Sequence, residues 1–539
     1  MKIRSSSFRN YPFTELFQDY TEWSESIQPF FEYNPFKLSE YVKRSQSLRF
    51  DTNKRDLVSA LTDYNLKFGA EEFTLENIKL LEEDDVFTVV TGQQVTLFGG
   101  PLFTVYKIIT AIITADKLTS ELNKKVIPVF WVADEDHDFD EVSSISVPDG
   151  DSLSEFTFID DNSIEKRAVE KTLSAGLNEI KRKIREILPG TDFSEDLWEL
   201  LDHCYSEKET FGSSFGKLIL QLFGKYGLIL AGSNHDGLKK LIIKPLVKSV
   251  QDSEKHHQTL NQSSEELAKN NYHKQVTIQS SNLFHIREDA SRIKLQKKGT
   301  QWYIDDSQKS WSSEELAREI ESAPENFSPN VFLRPIIQNH ILPVISYVAG
   351  PGEIAYYAQM RAYYEQFDIT MPVITPRYSV TLIESAIDRI IGKLPFNIHD
   401  YFNRIEDLEK DFLKQSDSPD LETIFKNWKS SVSDLSKDPI TRVAQIDPTL
   451  KKSADKTVTQ FFTELDKLKG KLYRSVKDSE QVQIQRIHRV QNSLYPNRNL
   501  QEREVAFISL MNKYGIDIWD KLIEELKSEE TNTHKLTYL

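Results

Sequence analysis

The clearest pattern in the chain is a strand, a helix and a second strand between residues 86 and 133. Val86–Val90 and Val126–Ala133 are short, nearly continuous apolar runs, typical of strands buried on both faces of a parallel sheet. Between them, Pro101–Leu122 carries apolar residues three and four positions apart, which predicts a helix with proline in its first turn. Together the three elements predict a right-handed βαβ unit.

The same alternation of apolar runs and helical pattern returns between residues 331 and 374. The apolar runs are Val331–Leu333, Leu342–Val348 and Met371–Ile374, and the helical pattern covers Glu353–Phe367. Residues 150–330 are more polar, and the segments in them that resemble strands are Glu155–Ile159, Leu228–Ala231, Gln275–Ile278 and Arg292–Leu295. We therefore predict an α/β protein with a Rossmann-like parallel-sheet core over residues 1–390 and inserted connecting segments at about 150–330.

The last part of the chain has a different pattern. Residues 391–495 are highly charged and helical in character, and apolar residues recur there at alternating spacings of four and three: Ala454, Val458, Phe461, Leu465, Leu468 and Leu472. This is the spacing of a coiled-coil seam, and the alternative is an ordinary amphipathic helix packed on its own domain. After Pro496, a C-terminal helical segment, residues 496–539, is predicted to return to the core, with Arg503–Leu526 as one amphipathic helix.

Composition and charge restrict the class of protein. The 539 residues include 67 Lys and Arg and 83 Asp and Glu, and the formal charge of −16 has the wrong sign for a nucleic-acid partner. No apolar stretch is long enough to span a membrane, and the N-terminus lacks the apolar region of a signal peptide, so we expect a cytoplasmic protein. Cys204 is the single cysteine, and we interpret it as a buried residue without a catalytic role.

The loop between the first strand and the helix is a candidate anion site. Thr91-Gly92-Gln93-Gln94 follows the strand and Gly99-Gly100-Pro101 opens the helix, so backbone N–H groups and a helix N-terminus could face a phosphate. The alternative is a structural connection whose glycines only permit positive φ. The stretch Gly212–Lys217 is not a P-loop, because its spacer is one residue short and Leu218 replaces the metal-binding hydroxyl.

The second strand runs directly into six carboxylates within the eight residues from Asp134 to Glu141. Ligands of open parallel sheets bind at the carboxyl ends of strands, which favours a site over a solvated run of charge. A carboxylate beside His137 would raise its pKa and make it a competent base, and crowded acids could keep one carboxyl protonated or recruit Mg²⁺. A zinc site is not indicated, because neighbouring cysteines and an H-E-x-x-H pattern are lacking.

Two arginines and a glutamate also follow apolar runs. Arg334 stands in Leu-Arg-Pro, Arg377 in Thr-Pro-Arg, and Gly350 and Glu353 belong to the turn Ala-Gly-Pro-Gly-Glu. The planar guanidinium of arginine suits bidentate binding of a carboxylate or a phosphate. An internal ion pair is the alternative for each arginine.

Five blocks of sequence carry a resemblance to a known family. In chain order they are TGQQVTLFGGPLFTVYK, PVFWVADEDHDFDEV, SPNVFLRPIIQNHILPVISYVAGPGEIAYY, MPVITPR and PNRNLQER. These blocks resemble the bacillithiol-synthesis cysteine ligase family, BshC, over nearly the whole chain. The resemblance implies a Rossmann-like core with inserted connecting segments, similar to nucleotidylyltransferases and class I synthetases, and a coiled-coil domain used for dimerisation.

The resemblance also implies an activity. A member of this family would join the carboxyl of cysteine to the amine of glucosaminyl malate, the last step of bacillithiol biosynthesis, as a homodimer without nucleic-acid or membrane partners. The alternative is a nucleotide-binding ligase or transferase of the same fold that acts on a different amine or amino acid. The intact DEDHD, LRP and TPR blocks argue against a third class, a coiled-coil interaction protein with a degenerate site.

Amide formation needs an activated acyl group and an unprotonated amine, which suggests roles for these residues. We expect His137 with Asp136 or Asp138 to deprotonate the glucosamine nitrogen, and Arg334 or Arg377 to hold the malate carboxylates. The expected binding residues are Thr91, Gly92, Gln93, Gln94, Gly99, Gly100, Asp134, Glu135, Gly350 and Glu353.

The chain departs from related patterns in two places. Gly232–Asp236 stands where family members often have an acidic residue, and the HIGH and KMSKS signatures of synthetases are not found. The sequence therefore leaves open whether ATP or ADP, and Mg²⁺, take part.

Overall fold

A computed structural model describes residues 1–135, 138–159, 167–174, 176–304, 309–415 and 421–539. The chain folds into two units, Met1–Leu382 with Leu500–Leu539, and Ile383–Asn499. The strands are β1 Lys2–Ser6, β2 Phe87–Gln93, β3 Val126–Val132, β4 Ser144–Asp149, β5 Ser152–Thr157, β6 Ile229–Ala231, β7 Leu283–Ile286, β8 Arg292–Lys298, β9 Gln301–Ile304, β10 Ser310–Ser312, β11 Phe327–Pro329, β12 Val344–Ala349, β13 Val373–Pro376, β14 Val380–Ile383 and β15 His534–Tyr538.

The helices of the first unit come before, between and after the strands of its central sheet, and α16 to α20 belong to the second unit. The helices are α1 Glu15–Glu22, α2 Leu38–Ser47, α3 Lys54–Leu66, α4 Glu72–Leu80, α5 Leu102–Leu122, α6 Gly176–Ile187, α7 Ser194–Cys204, α8 Phe211–Phe223, α9 Asp236–Leu241, α10 Ile243–Gln251, α11 Ser253–Lys269, α12 Ser313–Ser322, α13 Leu333–Ile341, α14 Pro351–Tyr357, α15 Arg361–Glu365, α16 Ser385–Ile391, α17 Ile405–Gln415, α18 Leu421–Ile446, α19 Lys451–Ser479, α20 Gln481–Leu494, α21 Gln501–Glu504, α22 Ile508–Tyr514 and α23 Ile518–Leu526.

The central sheet has the order β13-β12-β2-β3-β6, and all of its neighbouring strands are parallel. The predicted βαβ unit is present as β2, α5 and β3, with Phe87 opposite Val126 and Gln93 opposite Val132. Starting from β2, the chain adds β3 and β6 on one side of β2 and then adds β12 and β13 on its other side. The order therefore reverses between β2 and β12, and this reversal is where open α/β sheets bind ligands.

The apolar runs are nearly continuous because helices and loops cover both faces of the sheet. In β3, Ile127 and Trp131 pack into the hydrophobic core on one face, whereas Phe130 and Val132 pack with Val105 of α5 on the other. Successive residues of a strand point to opposite faces, so a strand buried on both sides needs apolar residues at every position. This confirms the Rossmann-like parallel core predicted from the sequence.

The polar middle of the chain contributes one strand, β6, to the central sheet. Between β3 and β6 lie the antiparallel pair β4 and β5 and helices α6 to α8. Between β6 and β12 lie α9 to α13 and an antiparallel sheet of order β10-β9-β8-β7-β11. Because β6 belongs to the central sheet, it divides the range 150–330 into two inserted segments.

Three local predictions were wrong. Gln275–Ile278 is not a strand, because the Gln359 side chain pairs with the N–H and carbonyl of Val276 at 3.1 Å each. The apolar run Val331–Leu333 is not a strand either, because it leads into α13, which begins at Leu333. Arg503–Leu526 holds the end of α21 and the whole of α22 and α23, because the β-bridges of Val505 and Ala506 and the positive φ of Gly515 interrupt the helix.

The predicted coiled-coil segment forms a helical hairpin of α18 and α19. Ion pairs Lys429–Asp466 at 2.6 Å and Glu422–Lys469 at 2.6 Å show that the two helices run antiparallel. Leu421, Phe425 and Leu465 are buried between them. Three other residues of the predicted seam, Phe461, Leu468 and Leu472, remain 39–40% exposed. The hairpin therefore covers only part of the seam.

A buried ion pair ties the C-terminal segment to the central sheet. The Arg377 guanidinium lies 2.7 Å from Glu502 Oε1, and both side chains are buried. Glu502 also accepts hydrogen bonds from Ser379 Oγ and the Val380 N–H, each at 3.0 Å. Burial raises the pKa of the Glu502 carboxyl, but the Arg377 charge outweighs this and holds the pKa below its usual value.

Replacing Glu502 by Gln should therefore destabilise the first unit by about 3 kcal/mol, because it leaves the buried Arg377 charge without its counter-ion. Urea unfolding of the full chain measures the change. The matched control is Glu530→Gln, whose partner Lys117 lies 3.5 Å away in an exposed pair, and whose loss should cost less than about 1 kcal/mol. Equal decreases in the free energy of unfolding for both variants would contradict the stabilising role of the buried Arg377–Glu502 pair.

Candidate functional site

The Lys107 side chain joins the ends of the two strands at which the sheet order reverses. Its Nζ donates to the main-chain oxygen of Gly92 at 2.8 Å and to Gln93 Oε1 at 3.0 Å, both at the end of β2. It also lies 2.5 Å from Glu353 Oε2, just beyond β12. Burial lowers the pKa of Lys107, and the Glu353 carboxylate opposes this effect. The ammonium thus fixes the relative positions of the two loops.

Glu353 is held from its other sides by the turn that contains it. It accepts hydrogen bonds from Tyr347 OH and from the Gly350 N–H, each at 2.8 Å. Burial raises the pKa of its carboxyl, but Lys107 and these hydrogen bonds bring it below the usual value. A Cβ at Gly350 would lie at ordinary contact distance from Glu353 Oε2, at 3.4 Å, and from Arg377 Nε, at 3.5 Å. Gly350 and Glu353 therefore belong to the same network as Gln93.

Arg334, at the start of α13, faces a cavity. Its terminal nitrogen lies 3.2 Å from Tyr356 OH, and its Nε is buried with no hydrogen-bond partner among the described residues. Arg377 differs, because its guanidinium is engaged by Glu502 and by the main-chain oxygen of Tyr378 at 2.8 Å. Both arginines were predicted to bind an anion. Arg377 instead forms an internal ion pair, whereas Arg334 lines the cavity.

The cavity lies at the carboxyl ends of β3 and β6 and has a volume of about 350 Å³. Helix α13 and the inserted antiparallel sheet form its other walls. Residues on its walls include Trp131, Asp134, Ser233, Lys294, Asn330 and Arg334. The cavity is thus at the carboxyl edge of the sheet, the edge at which open parallel sheets bind ligands, and it lies beside the reversal between β2 and β12.

Asp134 holds the end of β3 against the loop that follows β6. Its carboxylate accepts hydrogen bonds from Tyr64 OH at 2.9 Å and from the N–H groups of Ser233 at 3.0 Å and Asn234 at 3.2 Å. Burial, with a smaller contribution from Glu135, raises its pKa to about 7. A Cβ at Gly232 would lie 2.1 Å from Asp134 Oδ2. The departure from the family pattern at Gly232–Asp236 thus forms the loop that encloses Asp134.

Glu135 makes a second connection to the same loop. It accepts from Ser233 Oγ and pairs with the buried Lys239, which also donates to the Phe327 main-chain oxygen at 2.5 Å. Asp138 is exposed and accepts the Glu141 N–H at 3.4 Å. Asp136 and His137 lie outside the described residues, so their expected roles stay predictions.

The glycines of the predicted anion loop are part of a tight turn. Gly99 and Gly100 have φ of +83° and +81°, and a Cβ on Gly99 would lie 2.1 Å from the Phe507 ring. Their N–H groups donate to Thr96 and Leu97 oxygens at 3.0 Å each. The first N–H of α5, on Leu102, donates to the Val505 oxygen at 3.0 Å. These three N–H groups are not available to a phosphate.

The remaining residues of this loop also have partners within the chain. Thr91 Oγ1 donates to the Val348 oxygen at 3.0 Å, across to β12. A Cβ at Gly92 would lie 2.7 Å from the Trp131 oxygen, so glycine allows β2 and β3 to approach closely. Gln94 Nε2 donates to Glu141 at 3.0 Å. Gly92, through its main-chain oxygen, and Gln93, through its side chain, join the strand-end network at Lys107.

Lys107 and Lys294 were missed by the sequence analysis. Lys107 lies within the apolar helical pattern of α5, and a charged residue on a helix that is otherwise buried was the available signal. Cys204 is buried as expected, and burial raises the pKa of its thiol to about 12. Within the described ranges, no three His, Cys, Asp or Glu side chains are placed to hold a metal ion, and no helix is long and apolar enough to cross a membrane.

Comparison with known proteins gives matches over the whole chain. Residues 1–378 match the family described as bacillithiol biosynthesis BshC, N-terminal Rossmann-like domain, and residues 380–539 match the C-terminal coiled-coil domain of the same family.

Individual relatives agree with these matches. A protein of Bacillus cereus strain AH187, named "Putative cysteine ligase BshC", is 32% identical over 525 residues, which is 96% of each chain. A protein of the same name from Bacillus anthracis strain CDC 684 is 31% identical over 516 residues, covering 94% of this chain and 95% of the relative. With its parallel sheet and helical hairpin matched in order, this chain belongs to the bacillithiol biosynthesis BshC family.

Proposed function

We propose that this chain is a ligase that joins the carboxyl of cysteine to the amine of glucosaminyl malate, the last step of bacillithiol biosynthesis. The family description and the names of the relatives support this reaction over the alternative, a ligase or transferase of the same fold with a different amine or amino acid. The structural observation that carries the proposal is the cavity at the carboxyl edge of the sheet, lined by Arg334. We further propose the cytoplasm as its location.

Arg334 is the residue proposed to hold the malate carboxylates. Its side chain lines the cavity, and its guanidinium makes no ion pair with the described residues. A guanidinium also binds a carboxylate through two parallel hydrogen bonds. Arg377 is not proposed for this role, because Glu502 already neutralises it.

His137, with Asp136 or Asp138, is proposed as the base that deprotonates the amine. Asp134 and Glu135 directly precede these three residues in the sequence, and the contacts of the two carboxylates with Tyr64, Ser233 and Lys239 hold Asp134 and Glu135 at the cavity wall. We therefore assign Asp134 and Glu135 a positioning role. The chemistry itself is proposed for the three residues that follow them.

Activation of the cysteine carboxyl by ATP stays a proposal, with Mg²⁺ as its companion ion. The turn at Gly99 and Gly100 does not fit a phosphate, because its N–H groups are used within the chain. We assign no step of the reaction to a nucleotide at that turn.

The activity itself is tested by incubating the purified protein with cysteine and glucosaminyl malate, with and without Mg-ATP. Mass spectrometry should detect the condensed thiol, and release of AMP or ADP would identify the activating step. A folded protein that yields no condensed thiol in either mixture would refute the proposed reaction.

Replacing His137 by Ala should lower turnover by about 10²-fold or more, because the amine would lose its proton acceptor. The fold should be retained, as judged by circular dichroism and thermal unfolding. His203→Ala, on α7, is the control and should leave turnover unchanged. Turnover of His137→Ala near that of the unchanged chain would remove His137 from the role of base.

A second copy of this chain is proposed as the partner of the helical hairpin. Phe461, Leu468 and Leu472 continue the predicted seam on α19 but are 39–40% exposed, and Leu435 on α18 is 77% exposed. Apolar side chains repeated along an exposed helix are typical of a helix–helix interface. A homodimer would cover them.

Replacing Phe461 and Leu468 together by Glu should convert the dimer into a monomer, because it places two charges in the proposed interface. Light scattering after size exclusion should give a mass that falls from twice 62.5 kDa to 62.5 kDa. The control replaces the exposed Lys467 and Lys471 by Gln, which changes the net charge by the same amount. A mass of 62.5 kDa for the unchanged chain would refute the homodimer.

A further inference from the structure

One wall of the cavity consists of the inserted antiparallel sheet, and strand β8 contributes two cations to it. Arg292 and Lys294 line the cavity, whereas the intervening Ile293 and the following Leu295 pack against the hydrophobic core. This alternation follows from the two-residue period of a strand. The cross-strand neighbour of Lys294 is Phe284, which lines the same cavity.

The two cations differ in how the protein holds them. The Arg292 guanidinium lies 3.8 Å from the centre of the Phe284 ring, and it donates to Ser328 Oγ at 2.8 Å and to the Pro329 oxygen at 2.5 Å. Lys294 is half-buried, and its ammonium makes no ion pair or hydrogen bond with the described residues. Burial lowers the pKa of Lys294, with no carboxylate to oppose it. The Lys294 ammonium is therefore a cation that the described protein leaves uncompensated.

The carboxylates of the same cavity do not neutralise this charge. Asp134 is enclosed by Tyr64 and two backbone N–H groups, and Glu135 is paired with Lys239. Lys294 and Arg334 thus line one space, from β8 and from α13 respectively, and neither makes an ion pair with the described residues. In a chain of net charge −16, such a local excess of positive charge favours an anionic ligand.

We propose that Lys294 is a specificity-determining residue that binds a carboxylate of the amine substrate in this cavity, together with Arg334. This inference rests on the proposed function, which supplies a dicarboxylate, the malate group, attached to the reacting amine. The inserted sheet then selects the substrate by charge. The reacting amine would be selected by other residues.

The test compares Lys294→Gln with the unchanged chain on two amines, glucosaminyl malate and methyl glucosaminide, which lacks the malate carboxylates. For glucosaminyl malate, KM should rise about 10- to 100-fold with kcat within about 3-fold, because a charge-assisted contact is lost. The KM for cysteine and the rate with methyl glucosaminide should not change. Lys294→Arg should restore most of the affinity, and Lys298→Gln, an exposed residue of the same strand, should behave like the unchanged chain.

A binding measurement separates failure of this inference from failure of the proposed function. Calorimetry with malate alone as the probe should show binding that Lys294→Gln weakens about 10-fold or more and Lys298→Gln does not. Malate that binds with this dependence while no amide forms would refute the proposed reaction and keep the anion site. Equal affinity in all variants, no malate binding, or equal losses with both amines would refute the role of Lys294.

Discussion

The arrangement of the candidate site depends on one buried ammonium group. Lys107 contacts the end of β2 through Gly92 and Gln93 and the turn after β12 through Glu353, so it bridges the point at which the sheet order reverses. Burying an ammonium is costly unless it is paired and hydrogen-bonded. Here the Glu353 carboxylate pairs with the ammonium, and the Gly92 and Gln93 oxygens accept its hydrogen bonds. The loops that border the site are therefore held by charge and hydrogen bonding, where apolar packing alone would leave their relative position loosely specified.

The charged residues near the cavity fall into two groups according to their partners. Asp134, Glu135 and Arg377 have their partners within the chain, and they hold strand ends, loops and the C-terminal segment in place. Lys294 and Arg334 line the cavity and make no ion pair with the described residues. A charged side chain with a partner inside the protein holds the walls of the site in position, whereas a charged side chain without such a partner is available to a ligand. This distinction assigns the proposed substrate contacts to the second group.

Much of the fold was predictable because its signals are local. The apolar runs of β2, β3 and β12 and the helical spacing of α5 identify elements that the structure contains. Predictions failed where a distant contact overrode the local pattern. The Gln359 side chain takes the backbone groups of Val276 that a strand neighbour would have paired. A tight turn at Gly515 likewise divides a continuous amphipathic pattern into separate helices.

The sequence by itself determined the α/β class, the parallel core, the helical hairpin segment and the family, because periodicity and ordered motifs are properties of neighbouring residues. It also predicted a site at the carboxyl edge of the sheet, where the structure has the cavity lined by Arg334. Only the tertiary structure decided which charged side chains are neutralised. Arg334 and Arg377 looked equivalent in sequence, yet Glu502, which pairs with Arg377, lies 125 residues away along the chain. Lys294 became a candidate only when an inserted sheet placed it on the wall of the cavity that Arg334 also lines. Ion pairing depends on distances in space, and those follow from the packing of elements remote in sequence.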